Sequence, residues 1–240
     1  MRQQQAYAPS RGRGYGYPGL AVAETSVERR ARFIVRTYNH LFLAILAFTA
    51  IEVGLYYSGL MQTLALMVMR AWWVAFGGFI LVGMLASGLA HRARSLSTQY
   101  FGLAAMVAAE AIIFAPMLYI AAVEYPGVIQ SAGTVTVLGF GGLTAIAFVT
   151  RKDFSFLRGV VMWGGLCALA LIVGSLVFQF QLGIFFTVAM IALAGASVLW
   201  DTSNVLHHYP EDRYVAAALQ LFASIALMFW YVLRLFMSRD

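Results

Sequence analysis

Seven apolar stretches, each long enough to cross a lipid bilayer, follow one another along the chain. A hydrocarbon core about 30 Å thick requires roughly 20 residues, because each helical residue rises about 1.5 Å. No water is present at that depth to satisfy backbone amides, so only helices or a closed barrel can span it. The stretches are continuously apolar rather than alternating, which favours helices. The sequence therefore predicts an all-α polytopic membrane protein, a bundle of seven transmembrane helices.

These spans take up nearly all of the chain after its N-terminal segment. Residues 1–32 are predicted to form a disordered or amphipathic tail, and residues 33–240 a single transmembrane domain. We predict spans at residues 38–57, 71–90, 100–122, 133–150, 159–178, 182–206 and Tyr214–Met237.

The composition supports a membrane protein over a soluble one. Hydrophobic residues make up 62% of the chain and charged residues only 11%, whereas a soluble domain has about a quarter charged residues. The net charge of +6 would suggest nucleic-acid binding in a soluble protein. Here it is better explained by basic loops on one side of a bilayer, so we expect lipid as a partner and no nucleic acid.

The positions of the basic residues predict the orientation. A cytoplasmic N-terminus places most of them on the cytoplasmic side and few on the outer side. We therefore expect the N-terminus in the cytoplasm, in a bacterial inner membrane, and the C-terminus outside unless the last span is re-entrant. The cytoplasmic set is Arg92, Arg94, Arg151, Lys152, Arg158 and Arg213; the outer set is Arg70, Arg234 and Arg239.

Ionisable residues at membrane depth are costly, and each is a functional candidate. Glu52 lies near the outer end of the first span and Glu110 near the middle of the third. Asp201 lies inside the cytoplasmic end of the sixth span, at a depth similar to that of Arg92 at the end of the second. Together they could form a proton-sensitive latch, in which ionised Asp201 holds Arg92 and protonation releases it. In the simpler alternative, Asp201 hydrogen-bonds backbone groups and Arg92 merely follows the charge bias of the loops.

Two other classes of membrane protein fit poorly. A retinal-binding photoreceptor needs a Schiff-base lysine in the bundle, and the only lysine, Lys152, is in a loop. A zinc hydrolase needs clustered ligands, but no His-Glu-x-x-His motif is present. We expect no enzymatic activity and no cofactor. The four histidines are His40, His91, His207 and His208, and the last two are expected to be solvated loop residues.

Five segments, in this order, resemble the Bax inhibitor-1 family. They cover the first span from Phe33 through Glu52, the third span around Glu110 and Pro116, and the loop before the fifth span. They continue with Asp201-Thr202-Ser203 on the sixth span and Ala217 to Phe222 on the seventh. The resemblance extends over about residues 33 to 236.

This resemblance implies a bundle in which the other helices surround the last one. Similar proteins are described as pH-sensitive calcium leak channels, and in eukaryotes as suppressors of cell death. The implied sensor is a pair of aspartates on the sixth and seventh spans, latched by an arginine of the second span. Asp201 matches the first aspartate and Arg92 the arginine, with Arg94 as an alternative.

The second aspartate of the family pattern is absent. Ser224 occupies its position; it could donate one hydrogen bond to Asp201 but cannot form a carboxylate dyad. This change also removes half of the anionic charge available for Ca²⁺, which prefers several oxygen ligands. Glu110 could substitute as the missing carboxylate.

We therefore expect a cation leak pathway, with Ca²⁺ as the possible permeant ion. Asp201 would be its possible ligand and, with Arg92, its gate, while Ser224 would blunt the pH response. The alternative is a non-conducting interaction protein that binds a membrane protease or another membrane partner.

Overall fold

A computed structural model describes residues 21–92 and 95–238, apart from the side chain of Arg92. In these residues a short 3-10 turn, Val22–Glu24, precedes eight α-helices and no strand is formed. Seven of the helices are long and apolar enough to cross a membrane, which confirms the all-α polytopic fold. The helices are α1 (Val27–Tyr57), α2 (Leu60–Arg70), α3 (Trp72–Arg92), α4 (Leu96–Glu124), α5 (Val128–Thr150), α6 (Leu157–Phe178), α7 (Ile184–His207) and α8 (Tyr214–Met237).

The short helix α2 was not predicted. It is apolar but has only 11 residues, too few to cross the hydrocarbon core. Gly59, in the left-handed region at φ 75°, separates it from α1. Met61, Ala65 and Val68 form its buried face, and α2 packs mainly on α4. It therefore covers the end of the bundle at which α1 ends.

The last helix lies at the centre of the bundle, as the resemblance implied. α8 packs against α1, α3, α4, α5 and α7, and 67% of its most apolar 18-residue stretch is buried. Ala216, Ala217 and Ala218 are fully buried, because small side chains allow neighbouring backbones to approach closely. α8 is a single helix of 24 residues, or about 36 Å at 1.5 Å per residue, so it is long enough to span the core.

Helices α3 and α4 make another close contact, at Gly102 on α4. A Cβ atom at this position would lie 2.8 Å from the backbone oxygen of Ala86 and 3.4 Å from the Cβ of Ala90. Glycine is therefore required here by the distance between two backbones rather than by its own dihedral angles.

The segment before α1 packs against the loop between α7 and α8. The Val22 amide donates to the Tyr209 carbonyl at 2.8 Å, and the Val22 side chain is fully buried. Helix α1 then begins at Val27 rather than at residue 38, with Ser26 as its N-cap. We call this end of the bundle, where α1 and α8 begin and α7 ends, the N-terminal end.

Candidate functional site

A buried carboxyl group joins α7 to the central helix near the N-terminal end. Asp201 is 1% exposed, and the Ser224 hydroxyl on α8 donates to its Oδ2 at 2.5 Å. The hydrogen bond considered from the sequence is thus present. Oδ1 of Asp201 has no hydrogen-bond partner among the described residues. A buried acceptor left unpaired costs about 1–3 kcal/mol, so this oxygen is a candidate for binding a proton or a cation.

Asp201 lines a cavity of about 210 Å³ at the same end of the bundle. Arg158, in the first turn of α6, lines the same cavity, together with Asn204 and Gln220. The structure therefore brings a basic side chain of α6 into the surroundings of Asp201, together with His91 of α3 and His208. The sequence analysis placed Arg158 only among the cytoplasmic basic residues. The sequence signal that could have identified Arg158 was its position at the start of a span, directly after the loop with Asp153.

Other polar groups on the same turn of α7 lack partners in the described part of the chain. Besides Asp201 Oδ1, they are the Trp200 indole nitrogen and the Asn204 side-chain oxygen. Buried polar groups in proteins are nearly always hydrogen-bonded, and a cluster of exceptions calls for an explanation such as a bound water or ion. This turn of α7 is therefore suited to contact water or a cation inside the bundle.

The loop between α5 and α6 is tied to the end of α7. The Phe154 amide donates to the Ser203 hydroxyl at 2.9 Å, and His208 Nε2 lies 3.1 Å from Asp153 Oδ2. The side chain of His208 is only 23% exposed. His208 is thus not the solvated loop residue expected from the sequence; it is held by the carboxylate of a neighbouring loop.

The charged form of Asp153 is stabilised by these contacts. Partial burial by itself would raise the pKa of Asp153, but hydrogen bonds from the Ser155 backbone amide and from His208 outweigh it and hold the pKa below its ordinary value. A depressed pKa in the folded state means that ionised Asp153 contributes stability above the unfolded-state pKa of about 3.9. That contribution is lost as the pH falls through the folded-state value.

The variant Asp153→Asn tests this linkage. We expect it to lower the free energy of unfolding by about 0.5 kcal/mol at pH 6, since the carboxylate is nearly half exposed and screened by solvent. Below about pH 4 the difference from wild type should shrink towards zero. Thermal unfolding of detergent-purified protein across this range measures it, with the exposed Glu124→Gln as the control. A difference that persists at low pH would contradict the assignment.

The remaining histidines have structural contacts. His91 Nε2 lies 3.0 Å from the Tyr209 hydroxyl, and His40 Nε2 lies 2.7 Å from the Tyr100 hydroxyl. His207 Nδ1 lies 2.9 Å from the Ser203 carbonyl. Among the described residues no three His, Cys, Asp or Glu side chains are grouped so as to hold a metal ion.

The two other candidate carboxyl groups, Glu110 and Glu52, do not line the Asp201 cavity. Glu110 on α4 is buried but does not line the Asp201 cavity. Glu52 is also buried, at the opposite end of the bundle from Asp201. The Arg92 side chain and the whole of Arg94 lie outside the described residues, so the predicted latch between Arg92 and Asp201 stays a prediction.

The comparisons with known proteins agree with this architecture. A family model described as "Inhibitor of apoptosis-promoting Bax1" matches residues 30–240. The Golgi anti-apoptotic protein of vaccinia virus is 27% identical over 230 residues, which cover 90% of each chain. A modulator of FtsH protease from Escherichia coli, YccA, is 30% identical over 118 residues, 45% of this chain and 53% of the relative.

An uncharacterized protein of Pseudomonas aeruginosa is 36% identical over 110 residues, 45% of this chain and 49% of the relative. The chain thus spans about half the length of the bacterial relatives to which it is similar. The family match extends much further and includes all seven spans, the Asp201–Ser224 pair and the loop with Asp153.

Proposed function

The chain belongs to the Bax inhibitor-1 family and is an integral membrane protein; from this premise we propose that it provides a proton-sensitive leak pathway for cations, controlled by the ionisation of Asp201. We further propose that it resides in a bacterial inner membrane with its N-terminal end in the cytoplasm. One relative, YccA, is described as an inner membrane protein of Escherichia coli, and the basic residues of the loops favour this orientation.

The observation that carries the proposal is the partly satisfied carboxyl group of Asp201. It is buried beside the central helix, one oxygen accepts from Ser224, and the other has no partner in the described residues. An ionisable group in such a place is expensive and is retained where its charge has a task. Arg158 lines the same cavity as this carboxyl group.

The gate would operate through the charge on Asp201. Ionised Asp201 attracts a basic side chain, Arg158 or Arg92, and this attraction is strong at low dielectric. A protonated carboxyl group has no such attraction, so one interaction that favours the arginine inside the cavity is lost. Ser224 cannot ionise, so Asp201 is the one member of the Asp201–Ser224 pair that can titrate, and no carboxylate dyad is formed.

Ca²⁺ would pass this site rather than remain on it. Its coordination shell requires six to eight oxygen atoms, whereas the cavity supplies one carboxylate with the side-chain oxygens of Asn204 and Gln220. Weak coordination of this kind suits a pathway, since an ion that passes through must be able to leave. In its ionised form Asp201 is thus proposed as a transient Ca²⁺ ligand, and protonation would release the ion.

Ion flux into liposomes containing the purified full chain tests the function. We expect Ca²⁺ uptake above that of protein-free liposomes, rising as the pH is lowered from 8 to 5. The absence of flux above the protein-free control at every pH would reject the leak pathway.

A second candidate function is regulation of a membrane-bound protease without ion conduction. It is favoured by YccA, the relative described as a modulator of FtsH protease. The surface for such a partner would be the N-terminal end, where the Asp153 loop is fixed to α7. In this case, substitutions in residues 151–158 or 207–213 should alter co-purification with the protease, whereas Asp201→Asn should not.

A further inference from the structure

A second and larger cavity lies at the opposite end of the bundle from Asp201. Its volume is about 420 Å³, within the range of about 300–1,000 Å³ typical of small-molecule sites. Residues from the last turns of α1, from α4 and from the central helix α8 line it. It is thus separate from the proposed gate, both in position and in the residues that form it.

The polar side chains that line this cavity include Thr49, Gln130 and the carboxyl group of Glu52 on α1. Glu52 lines the cavity and is 6% exposed. Neither of its oxygens has a hydrogen-bond partner among the described residues. Since both acceptors are buried and unpaired, a cationic or hydrogen-bond-donating group in the cavity would relieve a substantial desolvation cost.

Aromatic side chains, alongside aliphatic ones, line the cavity around Glu52. Phe48 and Tyr56 come from α1, Tyr125 follows α4, and Phe229 lies on the central helix. The faces of aromatic rings attract cations, and such cages are used to recognise organic ammonium groups. Tyr56 is 47% exposed, so the cavity is accessible from the surface at this end.

The donor set disfavours a metal ion. Ca²⁺ needs six to eight oxygen ligands, but Glu52 is the single carboxylate that lines the cavity. No group of three potential metal-ligating side chains occurs in the described residues. One carboxylate within an aromatic wall matches an ammonium ion with attached hydrocarbon.

We propose that this cavity binds a small hydrophobic organic cation, with the ammonium group against Glu52 and its hydrocarbon part between the aromatic side chains. The site is independent of the leak pathway. Its ligands would be aralkyl amines and quaternary ammonium compounds. The carboxylate of Glu52 and the faces of the aromatic rings would both attract the cation.

Calorimetric titration of the full chain in detergent micelles with benzyltrimethylammonium tests the proposal. We expect wild type to bind it and Glu52→Gln, which keeps the shape but removes the charge, to bind at least tenfold more weakly. The control Glu124→Gln, an exposed carboxylate at the same end, should bind like wild type. Neopentylbenzene, which has carbon in place of the nitrogen, should bind more weakly than the cation.

A second variant, at an exposed position, distinguishes a loss of binding from a folding defect caused by Glu52→Gln. Tyr56→Leu lies at the half-exposed rim and removes one ring face, so it should weaken binding about threefold or more. The proposal is overturned if wild type does not bind the cation. It is equally overturned if both variants bind like wild type, if the neutral analogue binds as well as the cation, or if Ca²⁺ competes fully at equal concentration.

Discussion

Replacing Asp201 with asparagine is expected to remove the pH dependence of cation flux and to raise the flux at pH 8 about tenfold. Asparagine has nearly the same shape and can still accept from Ser224, but it never carries a charge. The variant therefore resembles the protonated state at every pH and cannot hold an arginine in the cavity. A tenfold change corresponds to a shift of about 1.4 kcal/mol in the gating equilibrium, which is modest for the loss of a buried charge.

The measurement is Ca²⁺ uptake by liposomes that contain equal amounts of wild-type or variant protein. Asp153→Asn is the matched control, since it removes a carboxylate from the adjacent loop and should leave the pH profile of flux unchanged. A variant at Asp201 that retains the wild-type profile would exclude this residue as the gate. If wild type shows no flux and Asp201→Asn still binds a membrane protease, the regulatory candidate replaces the leak pathway.

The substitution Gly102→Ala is expected to destabilise the bundle more than alanine at any other described glycine that packs against backbone. The new Cβ would lie 2.8 Å from the Ala86 backbone oxygen, which cannot move as a flexible side chain would. Separating α3 from α4 should cost about 1–3 kcal/mol, the usual range for overpacking.

Thermal unfolding in detergent, followed by the monodisperse fraction after heating, measures this loss. Gly78→Ala on α3 is the matched control, because nothing lies within 4 Å of the added atom and alanine favours the helix. If Gly102→Ala unfolded at the same temperature as the control, α3 and α4 would not require glycine at this contact.

Hydropathy was sufficient to predict the seven spans because each must satisfy its own backbone in lipid. It did not reveal α2, whose apolar residues resemble those of a span but whose length is set by the break at Gly59. The early start of α1 was also missed, since its first turns are polar: they lie beyond the apolar run that hydropathy detects. Ends of helices depend on caps and local contacts, which periodicity does not define.

The candidate site was only partly predictable. Burial of Asp201 followed from its place within an apolar run, and the partner Ser224 followed from the family resemblance. Arg158 could not be placed near Asp201, because that proximity depends on how α6 is positioned beside α7. The Glu52 cavity was missed for the same reason: its aromatic walls come from helices far apart in the sequence.

The central position of α8 has a consequence for biosynthesis. Helices leave the ribosome in chain order, and α8 follows all the other spans. The surfaces of α1, α3, α4, α5 and α7 that pack on α8 can therefore be covered by it only after this last span has been made. The small side chains of Ala216, Ala217 and Ala218 would ease the late insertion of α8 between helices that are already in the membrane.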